Sequence, residues 1–215
     1  MDGTLELYFS PLACSLASRI ALYEAGASAR FTEVDPKTKR TLAGDDYLSI
    51  YALGMVPLLR LEDGRLLPEG AAILQYIANR YPNAGLAPRD DLERAHLQQW
   101  LCFIGTELHK GLFIPLFDKS LSDDAKTNAR KKGQSRLAYL GDHLNGREFL
   151  LDRFTVADAY LYTVLNWAAT THVDLSPYPA ITSYHARLQK RPSIAKAFKE
   201  ELALYQAEQA RHKAA

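Results

Sequence analysis

The chain has 215 residues, 26 of them basic and 25 acidic, for a net charge of +1. Hydrophobic residues at 47% and charged residues at 24% match an ordinary soluble globular protein, and the length suffices for one large domain or two small cores. The near-zero charge excludes a polyanion partner held by bulk electrostatics, so no nucleic acid is expected, and no long apolar segment signals secretion or a membrane.

Met1-Asp2-Gly3-Thr4 leads straight into a first apolar run, so the chain reads as cytoplasmic. Residues 5–9 read as a strand and residues 15–25 as an amphipathic helix, with Ser10-Pro11-Leu12-Ala13-Cys14-Ser15 between them. Cys14 therefore stands at a helix N-terminus, where unpaired N–H groups and the positive end of the helix dipole favour a thiolate. Such placement brings a cysteine pKa from about 8.5 into roughly the 3.5–7.5 range. A dithiol motif needs a second cysteine three residues earlier, and Pro11 occupies that position. The site acts through one sulfur, or lends polar contacts to a thiol brought from outside. Cys14 and Cys102 are too few for a structural zinc site, no metal is expected, and both read as free thiols in a reducing compartment.

A strand follows at 30–34 and a short helix at 45–50. Residues 57–61 and 65–67 flank Glu62-Asp63-Gly64, whose Asp-Gly pair signals a hairpin turn. A helix over 69–81 has Ala72, Ile73, Tyr76 and Ile77 at helical spacing. The order βαβ-α-ββα is that of a thioredoxin-like layer, giving a first domain over 1–81. Two prolines and a glycine between Tyr81 and Pro88 mark a linker over 82–90.

Beyond it, 91–215 reads as all-helical. Leu97, Trp100, Leu101, Ile104 and Leu108 line one face of a long helix, within which Cys102 reads as packing. A second helix spans 124–144 and stops near Asn145-Gly146. Thr155 and Asp158 in Phe154-Thr155-Val156-Ala157-Asp158 form a capping pair that supports folding and needs no ligand. Two more helices follow Pro177-Tyr178-Pro179 and Arg191-Pro192-Ser193, with a Gln/Glu/Ala-rich end expected to fray.

With these elements placed, the chain resembles a glutathione S-transferase, specifically of the bacterial beta class, over essentially its whole length. The motifs are Pro11-x-x-Cys14-Ser15, Gly54-Met55-Val56-Pro57, Glu69-Gly70, Glu107-Leu108-His109-Lys110-Gly111 and Phe154-Thr155-Val156-Ala157-Asp158-Ala159-Tyr160, in that order. The resemblance implies an α/β thioredoxin-like domain that holds glutathione and an all-α helical-bundle domain that covers it. Glutathione is then a co-substrate, no cofactor is bound permanently, and the family implies a homodimer.

It also implies residue roles. Val56-Pro57 looks like the family's cis-proline turn, with Val56 pairing to the cysteinyl unit of glutathione like an added strand. Glu69 and Gly70 hold the glutamyl end at a helix N-terminus, although Glu69 is equally explained as an acid complementing a helix dipole. Lys39 matches the basic residue near the glycyl end. Cys14 partners the glutathione sulfur by a mixed disulfide or a hydrogen bond, with Ser15 as a second donor or a helix cap. His109, one position past Leu108, is expected to leave the buried stripe and face the cleft, and Lys110 supplies positive charge. Leu12, Phe113, Phe117 and Trp167 are expected to line the cleft for the second substrate.

Some positions depart from the family pattern. Phe9 stands where relatives place an aromatic hydroxyl, Gly70 where many carry serine, and Leu53 and Met55 where polar residues are common. Either glutathione affinity is lower than in relatives, or the second substrate is larger and more apolar. The first reading is a transferase that activates the glutathione thiol for attack on an apolar electrophile. The alternatives are a glutathione-dependent thiol-disulfide oxidoreductase using Cys14, and a non-catalytic protein that uses the fold for binding.

Overall fold

The computed structural model describes residues 4–214, so the opening Met1-Asp2-Gly3 lies outside the described residues. Two compact units divide the chain. One takes the chain up to Ala84 together with Pro192 onward, and the other is Gly85–Arg191. This corrects the assignment of 91–215 to one helical domain, because the last helix packs with the first unit.

In the first unit, β1 (Leu5–Phe9), β2 (Ala29–Glu33), β3 (Leu58–Arg60) and β4 (Leu66–Pro68) form one sheet in the order β2-β1-β3-β4. β1 pairs parallel with β2 and antiparallel with β3, and β3 pairs antiparallel with β4. Gly64, at φ 87°, closes the β3–β4 hairpin as Asp-Gly predicts. The strand alternation assigns the faces. Leu7 and Phe9 share one face, and Phe9 packs beneath Arg19 of α1 (Leu16–Glu24). Tyr8, on the other face, joins Val34, Leu58 and Tyr47 of α2 (Tyr47–Ile50) in a small core. Glu6 is a buried acid mid-strand, and register explains it. Arg30 and Arg60 lie directly opposite on the neighbouring strands and both bond its carboxylate, as do Thr32 and Tyr8. α3 (Gly70–Arg80) packs on α1 and β3.

The second unit is helical: α4 (Asp91–Phe103), a π-helical stretch (Ile104–Phe113), α5 (Ile114–Phe117), α6 (Asp123–Leu144), α7 (Val156–Leu165), α8 (Trp167–Thr171) and α9 (Pro179–Gln189). Leu97, Trp100, Leu101, Ile104 and Leu108 are all buried, as their spacing predicts, but Cys102 is exposed rather than packed. Every residue of α7 is buried, which makes it the central helix of this unit. α6 can approach the π-helical stretch closely because Gly133 has no side chain: a Cβ there would lie 2.6 Å from Leu112 Cδ1. Among the described residues no helix is long and apolar enough to cross a membrane.

α10 (Pro192–Ala214) returns to the first unit and packs along α1. The helix continues through the Gln/Glu/Ala-rich end, where the side chains of Arg211 and His212 bond Glu33 and Asp35.

Candidate functional site

The loop after β1 turns sharply at Leu12, which adopts the left-handed conformation at φ 58°. A leucine rarely holds such a backbone without support. Its amide donates to Glu201 Oε2 of α10 at 2.8 Å, and Glu201 Oε1 accepts from Arg19 Nε at 2.8 Å. Burial pushes the Glu201 carboxyl up to about 7, and the Arg19 guanidinium and the Leu12 amide limit the rise. The far end of the chain thus anchors the loop that carries Cys14.

Cys14 stands just before α1, and its carbonyl already accepts from Ala17 N at 3.3 Å. Its partly buried thiol donates to the Val56 carbonyl at 3.3 Å, and Val56-Pro57 is cis, as the motif implies. Ser15 does not cap α1 with its side chain. It is fully buried, and its hydroxyl donates to the Ser10 carbonyl at 3.1 Å.

The other first-unit residues converge on the same segment. Lys39, left-handed at φ 56°, donates from Nζ to the Gly54 carbonyl at 3.0 Å. Tyr47, which the sequence reading did not single out, donates to the Met55 carbonyl at 2.8 Å. Gly70 faces the ring of Pro57, and a Cβ there would lie 3.6 Å from Cγ, an ordinary contact. Glu69 is exposed and held at φ 71°, an uncommon conformation for a non-glycine residue, where the chain turns into α3. The structure therefore brings Cys14, Lys39, Val56, Pro57 and Gly70 together, with Glu69 next in the chain. Leu53 and Met55 project apolar side chains at 69% and 51% exposure. Phe9 lies in the core beneath Arg19 and against Phe31, so no hydroxyl is missing from the Cys14 loop on its account.

In the second unit, His109 does not leave the buried stripe; it is 6% exposed. The π-helical stretch carries it. Gly111 accommodates the wider turn, since a Cβ there would meet the Thr106 carbonyl at 2.9 Å. Nδ1 of His109 lies 2.7 Å from the Tyr160 hydroxyl, and its ring meets Trp167 edge-on at 4.9 Å. Phe113 and Phe117 also meet Trp167 edge-on. Phe113 is fully buried and belongs to the core rather than to a lining, whereas Phe117 is 40% exposed. Leu12 belongs to the first unit, and Lys110 is exposed on the second. Tyr160 closes the motif that begins at Phe154, and only the fold shows that it faces His109.

Burial lowers the His109 pKa to about 4, with the charge of Lys110 adding to the effect. At neutral pH this imidazole is uncharged and offers hydrogen bonds only. The sign follows from linkage. The unfolded chain takes up the proton near 6.5 and the folded chain near 4, so the folded state's advantage is complete above pH 6.5 and is lost as pH falls toward 4. The full span is worth about 3 kcal/mol. Wild type should lose roughly 2 kcal/mol more than His109→Gln between pH 7 and pH 5, measured by thermal unfolding. Equal losses would place the acid sensitivity elsewhere.

Comparison with known proteins is consistent with this geometry. Residues 13–80 match the model described as "Glutathione S-transferase, N-terminal domain", and residues 123–187 match its C-terminal counterpart. The chain is 40% identical over 199 residues to glutathione S-transferase GstA of Escherichia coli O157:H7, covering 92% of this chain and 98% of that protein. Among solved structures, a sphingomonad glutathione S-transferase complexed with glutathione superposes with a TM-score of 0.87 at 42% identity, covering 91% of this chain and 98% of that one. The bacterial beta class enzyme of Sphingomonas chungbukensis superposes with a TM-score of 0.87 at 43% identity over the same shares. A family match at both ends, a relative matched over nearly its whole length and a cysteine loop facing a cis-proline turn lead to one conclusion: this chain belongs to the glutathione S-transferase family and resembles its bacterial beta class.

Proposed function

We propose that the protein binds glutathione along the segment from Gly54 to Pro57 and activates its thiol for attack on an apolar electrophilic small molecule. The observation that carries this reading is the meeting of Cys14, Lys39 and Gly70 on that one stretch of backbone. The amide of Val56 makes no hydrogen bond among the described residues, leaving a donor for the cysteinyl unit beside the Cys14 thiol. The N-terminus of α3 behind Glu69 and Gly70 suits the glutamyl carboxylate, and the Lys39 ammonium suits the glycyl carboxylate. In the reaction the glutathione thiol gives up its proton to solvent water, the thiolate forms a bond to the electrophilic carbon, and the leaving group departs with the bonding pair. Cys14 assists by a hydrogen bond to that thiolate, together with the partial positive charge before α1. Phe117, 40% exposed, is proposed to offer aromatic surface to an apolar second substrate, with the buried Trp167 ring packed edge-on behind it. The protein is proposed to be a cytoplasmic homodimer; exposed Leu42, Leu48, Leu53 and Met55 supply apolar surface for a second copy.

A second reading is supported by the partly exposed single thiol of Cys14. Cys14 would attack a glutathione mixed disulfide, releasing the other thiol, and free glutathione would then regenerate Cys14 while forming oxidised glutathione. Titrating wild type and Cys14→Ala with reduced glutathione, and following thiolate absorbance against pH, separates the readings. As a transferase, Cys14→Ala still binds glutathione and the bound thiol of wild type ionises below about 8.5. As an oxidoreductase, Cys14→Ala loses disulfide reduction while conjugation persists. Absence of binding at millimolar glutathione would leave only the non-catalytic role.

A further inference from the structure

The last turn of α10 reaches the turn that carries Lys39, and the contacts are specific. Asp35 organises that turn: its Oδ1 accepts from the amides of Lys37 and Thr38, both at 2.9 Å, and its carbonyl accepts from Lys39 N at 3.0 Å. The second carboxylate oxygen, Oδ2, receives His212 Nε2 at 2.7 Å. Both partners are largely buried, with side-chain exposures of 12% and 13%. One turn earlier on α10, Glu208 faces the other side of the imidazole at 3.8 Å, and Arg211 pairs with Glu33 at the end of β2. The Lys39 carbonyl accepts from Tyr47 N at 3.0 Å, so the turn is also tied to α2, and the Lys39 ammonium reaches the Gly54 carbonyl.

We infer that His212 and Asp35 are positioning residues for the glycyl end of glutathione. The helix end fixes the Asp35 carboxylate, which fixes the turn, which holds Lys39 in its left-handed conformation with its ammonium beside Gly54. Lys39 has a long, flexible side chain, and an ammonium that must find its place at each binding event loses affinity to side-chain entropy. A backbone held from three directions removes part of that loss. The terminal turn of α10 is therefore part of the binding site without touching the ligand. This inference rests on the proposed role of Lys39.

The test is calorimetric titration at one pH with two probes, reduced glutathione and its glycyl monoethyl ester, which lacks the glycyl carboxylate. Lys39→Met serves as the reference. It should weaken glutathione by roughly ten-fold or more and the ester hardly at all, because a charge-assisted contact is lost only where the carboxylate exists. His212→Ala should weaken glutathione by about five-fold, the scale of one hydrogen bond, while the ester changes less than two-fold. Asp35→Asn, a second variant of the same shape, should reproduce that selectivity, and His212→Gln, which keeps a donor, should recover part of the affinity. Equal weakening of both probes would mean general loosening of the unit and would overturn the inference, as would unchanged glutathione affinity in His212→Ala. If Lys39→Met is selective and His212→Ala is not, the positioning role alone falls. If Lys39→Met shows no selectivity, the assignment of Lys39 falls and takes the inference with it.

Discussion

Replacing Glu201 by alanine is expected to lower the unfolding temperature by roughly 10 °C or more, the shift that several kcal/mol produces in a chain of this size. The reason is what the substitution leaves behind. Arg19 is 4% exposed, with its guanidinium stacked 4.3 Å from the ring centre of Phe9 and 4.0 Å from that of Phe31. Glu201 supplies its shortest hydrogen bond; Nη2 is buried without a partner and Nη1 has only longer bonds to Tyr23 and Glu200. A buried cation stripped of its main counter-charge costs about 3–5 kcal/mol. The Leu12 amide also loses its acceptor, on a residue whose left-handed backbone that bond supports. Glutathione affinity should fall together with stability, because the loosened loop carries Cys14. Thermal unfolding of Glu201→Ala beside Arg19→Met/Glu201→Leu decides the matter. If the apolar pair recovers most of the loss, the cost lay in the uncompensated charge. A Glu201→Ala protein that melts within a degree or two of wild type would show that the pair contributes nothing to the joining of α1 and α10.

The second large effect is expected at Asp158, at the start of α7. Its carboxylate accepts four hydrogen bonds: from Thr155 N at 2.8 Å, Thr155 Oγ1 at 3.0 Å, Leu150 N at 2.9 Å and Tyr184 Oη at 2.7 Å. Burial raises its pKa, and these donors oppose the rise. Asp158→Ala leaves the donors of Leu150, Thr155 and Tyr184 buried with no acceptor, at about 1–3 kcal/mol each before relaxation. A total loss of about 4–5 kcal/mol is expected, against about 1 kcal/mol for Thr155→Ala as the loss of a helix cap. Thermal unfolding of the two variants side by side checks this. Equal, small losses would reduce Asp158 to a cap and remove it as the joint between α7, α9 and the segment before α7.

The Asp158 case shows how far local sequence reaches. Thr155-x-x-Asp158 announces a helix start because a cap and its partner lie within one turn, and both capping bonds are present. Leu150 and Tyr184 are invisible at that range. Tyr184 meets Asp158 because α9 packs against α7, and Leu150 because the segment before α7 folds back onto its start, so a feature that reads as a local cap is also a tertiary joint. The Asp-Gly hairpin, the cysteine before α1 and the stripe from Leu97 to Leu108 were legible for the same local reason. His109 was misplaced because its exposure was projected from α-helical periodicity, and the π-helical stretch changes that periodicity. Ser15 does not cap α1, because its acceptor, the Ser10 carbonyl, depends on the shape of the loop.

By itself the sequence determined the strands and helices, the turn chemistry at Asp63-Gly64, the helix-end position of Cys14 and, through its motifs, the family. Tertiary structure alone decided what the last helix does. Ile194, Ala197, Glu201 and Glu208 fall on its buried side at helical spacing, so the sequence contained the sign that two acids sit in a packed face. It could not say which partners make such burial tolerable. A carboxylate is stable away from water only where opposite charge and donors converge on it, and for Glu201 these come from Arg19 and Leu12, more than 180 residues earlier in the chain.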